Sequence, residues 1–223
     1  MVDYMFNGGH KPESLILGDI DSCAGINIPD LVSMVSYLFH GLELSCACLE
    51  CTPFSGGSFY LDHVDGLNEA NNMMTEQPIT FYIRGSNDIN DTIIGISNGF
   101  CVYSPSGAKW TTTKLATTDP VTELNFDSGY FVNQFGVIGT MTDTVSLGCY
   151  VLFKGGMLDN FEDNILTITI GPIDDKYHGH EICLDSSWYF SRGTWLWVSR
   201  NKDFRPTWDG PYCFPIDFSG RTD

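Results

Sequence analysis

Acidic and amide side chains at regular spacing make "GDIDSCAGINIPDL" the strongest chemical signal in the sequence. If Asp19 is position 1 of a calcium loop, Asp21 stands at position 3, Asn27 at position 9 and Asp30 at position 12. A calcium loop needs oxygen ligands at these offsets. An apolar residue, Ile26, also stands at position 8, where such a loop is anchored to its neighbour. We therefore predict that these four side chains bind calcium.

Two positions of this loop depart from the pattern. Cys23 stands at position 5 in place of an oxygen ligand. Ala24 occupies the place where glycine normally makes the sharp turn, and Gly25 follows one residue late. The candidate metal site therefore includes Cys23 and Gly25 beside the four oxygen ligands, although neither residue matches the pattern. The alternative is a loop that keeps its fold without metal.

Cysteines near the loop could form a second kind of site. The segment "CACLEC" contributes Cys46, Cys48 and Cys51, which together with Cys23 could offer four thiolates to zinc. The C-x-C-x-x-C spacing is tight. A zinc knuckle needs a second pair of closely spaced ligands, and the sequence has no second cysteine pair of that spacing. Disulfides are favoured over zinc. Cys23 precedes a predicted helix and Cys46 and Cys48 lie just past its end, so a bridge between them would fold the "CACLEC" segment back along that helix.

The remaining four of the eight cysteines fall in segments with a strand pattern. Our interpretation pairs Cys101 with Cys149, and Cys183 with Cys213. Four cysteines allow three connectivities, so the sequence leaves the other two pairings open. The even total favours an oxidising compartment and hence a secreted or cell-surface protein.

Two short motifs imitate catalytic or metal sites. "GISNG" (residues 95–99) matches the nucleophile elbow G-x-S-x-G, but a strand pattern follows it where the elbow requires a helix. If "HGHE" is extended, His178 and His180 lie on one face and could bind a metal, but an exposed polar loop explains them better. No carboxylate pair can be placed at a catalytic separation from the sequence. We therefore predict a protein that is not an enzyme.

Five tryptophans could stack on sugar rings. In "TWLWVS" the alternation places Trp195 and Trp197 on one face, for which burial in a core is favoured. Trp208 lies in the turn-rich "RPTWDGPY" and is the better candidate for an exposed ring. Trp208 and Trp110 are the predicted glycan contacts.

A helical region must position the calcium loop. Apolar residues follow helical spacing from Ile28 to Phe39, with Pro29 suited to the first turn and Gly41 to the end. "MVDYMFNGG" at the start of the chain nearly repeats "MVSYLFHGL" (34–42) and matches it at five of six compared positions. We interpret the chain as a piece of a longer protein that starts inside a repeat. The first copy could pack on the helix of its own chain or on a second copy of the chain.

Beyond residue 55 the pattern changes to short, aromatic and β-branched segments separated by turn residues. Nine or ten strands are expected between residues 56 and 217, forming an antiparallel β-sandwich or jelly roll. The predicted organisation is a helical module at 1–45, a Cys- and Gly-rich linker at 46–55 and a β-sandwich domain at 56–223.

Charge and composition exclude several partners. Acidic residues outnumber basic ones by 28 to 11, giving a formal net charge of -17, which repels nucleic acid and anionic lipid. The sequence contains no signal peptide and no apolar run long enough for a membrane span.

The segment "GDID…GINIPDLVSMVSYLFHG", preceded by the half-repeat "VDYMFNGG", resembles the duplicated calcium-loop-and-helix repeats of dockerin modules over residues 1–42. Asp19, Asp21, Asn27 and Asp30 match that repeat, whereas position 5 does not. The resemblance implies calcium-dependent folding and docking to a cohesin-type sandwich. The β region is similar in outline to cohesin and carbohydrate-binding sandwiches and to the tail domain after such repeats in bacterial surface proteins.

The sequence thus predicts a non-catalytic extracellular protein for adhesion or assembly, with calcium as its cofactor. Its expected partner is a protein, either a cohesin-like sandwich or another copy of the chain. A carbohydrate-binding sandwich and a self-assembling filament subunit are the alternatives.

Overall fold

The structure of the chain is a computed structural model. It describes residues 20, 26, 28–40, 54–117, 128–132, 142–150, 155–187, 195–199 and 202–218. Within these ranges one α-helix, α1 (Ile28–His40), and one short 3₁₀ helix (Asp175–Tyr177) accompany a large β-sheet. Helix α1 confirms the helix predicted from the apolar spacing.

Twelve strands lie in the described part of the chain. They are β1 (Phe54–Asp65), β2 (Met73–Met74), β3 (Ile79–Asn87), β4 (Gly95–Tyr103), β5 (Trp110–Thr117), β6 (Ser128–Val132), β7 (Thr142–Tyr150), β8 (Phe161–Ile173), β9 (Glu181–Ser187), β10 (Leu196–Val198), β11 (Asp203–Trp208) and β12 (Tyr212–Asp217). The sequence predicted nine or ten. Strand β2 was not among them, because two residues are too few to show an alternation.

The strands join in the order β2-β12-β9-β4-β10-β11-β1-β3-β8-β5, and β7 and β6 extend the sheet from β4. Two of these pairings are parallel, β1 with β11 and β12 with β2. The others are antiparallel, as alternating strands with short turns favour. The predicted fold class, a mainly β antiparallel sandwich with a small N-terminal helix, is confirmed.

Apolar side chains from both halves of this sheet meet in one core. Strands β1, β3 and β8 contribute residues such as Phe59, Phe81 and Ile168, while β4 and β9 contribute residues such as Phe100 and Leu184. Strand β3 alternates strictly between buried and partly exposed residues, so every second side chain points away from the core. The sandwich therefore has two outer faces on which side chains are available for other contacts.

The core closes tightly around Trp197. This side chain is fully buried, and its ring packs edge-to-face on Phe59 at a centroid distance of 5.0 Å. A Cβ atom on Gly57 would lie 2.2 Å from the indole, and Gly57 has a φ of +73°. Only glycine fits both conditions without strain.

Candidate functional site

Helix α1 lies on the outer side of the sandwich, where it contacts β4 and β10. Trp197 in β10 points into the core, so its neighbours Leu196 and Val198 point outward. Both are nevertheless buried, as are Leu31 and Val32 on the helix. None of these four side chains belongs to the central core cluster. Because α1 approaches β10 here, we infer that these four buried side chains lie together outside the core, and we call them the helix-docking patch.

Strand β4 is shaped to let the helix approach. Its core-facing positions are Ile96, Asn98 and Phe100, and the Trp197 Nε1 donates to Asn98 Oδ1 at 3.2 Å. The positions that alternate with them point outward and carry small residues such as Ser97 and Gly99. Both of these residues are buried. Small residues on a strand mark a close approach of another backbone. The outer face of β4 is therefore a shallow seat for α1.

The far end of α1 remains in solvent. Leu31 is 5% exposed, whereas Leu38 is 63% exposed, and Tyr37 and Phe39 are each more than half exposed. Three consecutive large apolar residues on a helix surface exceed the scattered exposure that soluble proteins normally show.

Asp30 stands at the start of α1 and is fully buried. Its Oδ1 accepts the backbone N–H of Ile20 at 2.5 Å, so position 12 of the predicted calcium loop meets position 2. Asp19, Asp21, Cys23, Gly25 and Asn27 lie outside the described residues, so calcium binding stays a prediction.

The predicted glycan contacts have different surroundings. Trp110 is 2% exposed and belongs to the core, so its assignment as a surface ring is wrong. Trp208 is partly buried, donates its Nε1–H to Asp185 Oδ1 at 2.9 Å and packs edge-to-face on Phe100. Trp195 and Trp197 lie in or against the core, as their alternation favoured.

One of the two predicted pairs of strand cysteines forms. Cys183 in β9 and Cys213 in β12 stand directly opposite each other and are joined by a disulfide. The predicted pair of Cys101 with Cys149 is wrong. The register of β4 and β7 places Cys149 opposite Ile96, five residues from Cys101, and Cys101 is a free thiol. Such an offset spans about 17 Å along a strand.

The other cysteines, Cys23, Cys46, Cys48 and Cys51, lie outside the described residues. Among those described, one group has metal-ligand proximity, formed by Glu181, Cys183 and Cys213. Its two sulfur atoms are already bonded to each other. They therefore cannot serve as thiolate ligands.

The two motifs that imitated catalytic sites adopt ordinary structures. Residues 95–99 lie within β4, so no nucleophile elbow forms, as predicted. His178 follows the 3₁₀ helix and lies 3.4 Å from Asp217 through its Nδ1 atom. His180 instead meets the ring of Tyr177 edge-on, so the two imidazoles have separate partners.

Sequence reasoning missed a polar cluster on the outer face of β1, β3 and β8. Tyr60, Asp62, Arg84 and Glu162 are linked there by hydrogen bonds and ion pairs. The signal was available as polar residues alternating with the core residues of β3. The sequence did not show the strand register that brings β8 beside these residues.

No known protein family matches the chain, and no curated protein matches it. Solved structures with a similar fold are cohesin modules. The seventh ScaB type I cohesin from Pseudobacteroides cellulosolvens is 11% identical with a TM-score of 0.49, and the match covers 76% of this chain and 97% of that one. The cohesin module of a family 33 glycoside hydrolase from Clostridium perfringens is 9% identical with a TM-score of 0.47, covering 74% and 99%.

A type I cohesin from Clostridium thermocellum, solved in complex with a dockerin, is 8% identical with a TM-score of 0.44, covering 72% of this chain and 99% of that one. With such identities and TM-scores below 0.5, these likenesses concern the fold, and no function is taken from them. Within the described residues, the helices are too short or too polar to cross a membrane.

Proposed function

We propose that this chain is a non-catalytic protein-interaction module that serves adhesion or assembly at a cell surface. The observation that carries the proposal is the docking of α1 on the outer side of β4 and β10 through the helix-docking patch. This patch is separate from the sandwich core, so the sheet offers a surface that accepts an amphipathic helix.

Helix-in-groove contacts are a common mode of protein recognition. Each of Leu31, Val32, Leu196 and Val198 gains about 1.5–3 kcal/mol on full burial. The ordering of the helix opposes this gain, because fixing one residue's backbone costs roughly 1–2 kcal/mol. The net docking energy is therefore small compared with its parts, and a helix held in this way can be released or exchanged.

Calcium is the proposed control of this helix. Asp30 lies in the first turn of α1, and its side chain is buried. Asp30 and the loop oxygens of Asp19, Asp21 and Asn27 would hold the ion. A bound ion would fix the helix start, because metal binding supplies folding free energy to such loops.

The location and the lack of catalysis are also proposals. A disulfide between Cys183 and Cys213 suits an oxidising, extracellular compartment. The strand conformation of residues 95–99 removes the nucleophile motif that would have supported a hydrolase. The partner is a protein, either a cohesin-like sandwich that receives α1 or a second copy of the chain. The exposed Tyr37 and Leu38 provide additional contact area.

The helix-accepting surface can be tested with a synthetic peptide of residues 15–42, labelled with a fluorophore. The full chain carrying Leu31→Asp should release its own helix, because a carboxylate cannot be buried there without a partner. The peptide should then bind this variant at least about tenfold more tightly in calcium than it binds the unmodified chain. Fluorescence anisotropy measures both affinities.

Two peptides provide matched controls. A peptide with Leu38→Asp should bind as the original does, because Leu38 is exposed in α1, whereas a peptide with Leu31→Asp should not bind. If the Leu31→Asp chain keeps the circular dichroism of its sandwich but fails to bind the original peptide, the outer face of β4 and β10 does not accept helices, and the proposed function loses its support.

A further inference from the structure

A second outer surface has a different chemistry. Six side chains on β1, β3 and β8 face away from the core, and we call them the Tyr60 face. They are Tyr60, Asp62, His63, Tyr82, Arg84 and Glu162. The register places Tyr60 opposite Arg84 and His63 opposite Tyr82, with a bulge between them. Helix α1 contacts β4 and β10 instead, so this surface is independent of the helix-docking patch.

Asp62 is the centre of a hydrogen-bond network on this face. Its carboxylate lies 2.7 Å from His63 Nδ1, 3.1 Å from Asn164 Nδ2 and 3.3 Å from Arg84 Nε. Desolvation alone would raise the pKa of Asp62, but the bonds from Asn164 and His63 and the charge of Arg84 outweigh it and lower the pKa. Because an ionised carboxylate only accepts hydrogen bonds, His63 Nδ1 is the donor.

Tyr60 and Arg84 are fixed in the same network. The Tyr60 hydroxyl donates to Glu162 Oε1 at 2.5 Å, and Arg84 Nη1 lies 4.0 Å from that oxygen. Burial, followed by the hydrogen bond to Glu162, raises the pKa of Tyr60, so its hydroxyl stays protonated. Side chains held in this way lose little further freedom when a ligand binds, which favours affinity.

Aromatic rings lie beside these polar groups. The His63 imidazole stacks on the Tyr82 ring, with centroids 4.0 Å apart and planes inclined by 13°. The His63 side chain is still 50% exposed, although one face of its ring is covered. Tyr82 is held from the other end, because its hydroxyl donates to Asp65 Oδ2 at 2.9 Å. The stack is thus a rigid, partly exposed aromatic surface.

The composition and charge of the Tyr60 face limit the ligands that suit it. The six residues include no aliphatic side chain, so the face does not suit an apolar helix. Its carboxylates outnumber its one guanidinium, so it repels anions.

We propose that the Tyr60 face binds a neutral, extended saccharide. The C–H side of a sugar ring packs on the exposed side of the His63–Tyr82 stack. The sugar hydroxyls donate to the carboxylates of Asp62 and Glu162 and accept from Arg84. Aromatic surface combined with a few fixed polar groups is the usual composition of a small-molecule site. This site uses none of the tryptophans that the sequence suggested as glycan contacts.

Calorimetric titration of the full chain tests this proposal. The probes are β-1,4-linked hexasaccharides of glucose, xylose, mannose and N-acetylglucosamine, which are neutral and extended. At least one should bind with a Kd below about 1 mM. Substitution His63→Ala should weaken that binding roughly tenfold by removing the stack, and Arg84→Lys should do the same because lysine lacks the planar fork.

His178→Ala is a closely matched control. His178 is 47% exposed, stacks on Phe218 at 4.1 Å and pairs with Asp217, as His63 does with Tyr82 and Asp62. It should leave saccharide binding unchanged. The proposal is overturned if no probe binds, or if His178→Ala weakens binding as much as His63→Ala. Binding that collapses when salt rises from about 0.1 M to about 0.5 M would also overturn it, because screening identifies a charged ligand.

Discussion

The docking of α1 should respond to a change of one buried leucine without loss of the sandwich. Leu31 is 5% exposed in the helix-docking patch, and truncation of a buried leucine to alanine costs about 2–5 kcal/mol. Since the docked state gains only the difference between apolar burial and helix ordering, a loss of this size is comparable with the whole docking energy. Leu31→Ala should therefore leave α1 mostly undocked.

Hydrogen exchange measured by mass spectrometry separates local from global effects. Amides of residues 28–40 should lose protection in Leu31→Ala, while those of β3 and β8 keep it, because the core cluster does not include Leu31. Leu38→Ala, which changes the same residue type at an exposed site, should shift stability by less than about 0.5 kcal/mol. If protection falls equally in β3 and α1, helix and sandwich unfold as one unit and the reasoning is refuted.

Three further predictions concern single residues. Trp110→Ala should lower the free energy of unfolding by about 3–5 kcal/mol in urea titration, because the ring is in the core, and an effect below about 1 kcal/mol would contradict that position. Chelation of calcium should increase hydrogen exchange in α1, and Asp30→Asn should abolish that response; an unchanged helix after chelation would remove calcium from the site. Burial and the Asp185 charge raise the pKa of the Cys101 thiol to about 11. The rate of Cys101 alkylation should therefore rise about tenfold per pH unit from neutral pH towards that value. The rate at neutral pH should be higher in Asp185→Asn. A rate that levels off near pH 8 would contradict the raised pKa.

The helix and the strands were predictable because their periodicities are strong. Apolar residues from Ile28 to Phe39 gave α1, and alternation gave most of the strands. The surface on which α1 docks was not predictable. Its seat on β4 consists of small residues such as Ser97 and Gly99, which resemble turn residues in a sequence and show their function only when a helix is placed against them.

Pairings between distant strands were the other limit of prediction. Cys183 and Cys213 pair because β9 and β12 are neighbours in register, whereas Cys101 and Cys149 lie on neighbouring strands but at different heights. A strand pattern shows which face a residue occupies but not its height along the partner strand. Trp110 was misplaced for a related reason. It follows a turn at the first position of β5, where no earlier alternation defines the face.

The two outer surfaces of the sandwich differ in a way that suits two separate ligands. The surface at β4 and β10 combines small residues with aliphatic ones and excludes water beneath α1, so its affinity comes from apolar burial. The Tyr60 face has ordered polar groups and aromatic rings in solvent, so its affinity comes from hydrogen bonds and stacking. The close-packed core between them is rigid, and neither ligand needs to deform it. We therefore expect helix docking and saccharide binding to proceed independently, so that Leu31→Ala leaves saccharide affinity unchanged and His63→Ala leaves helix protection unchanged.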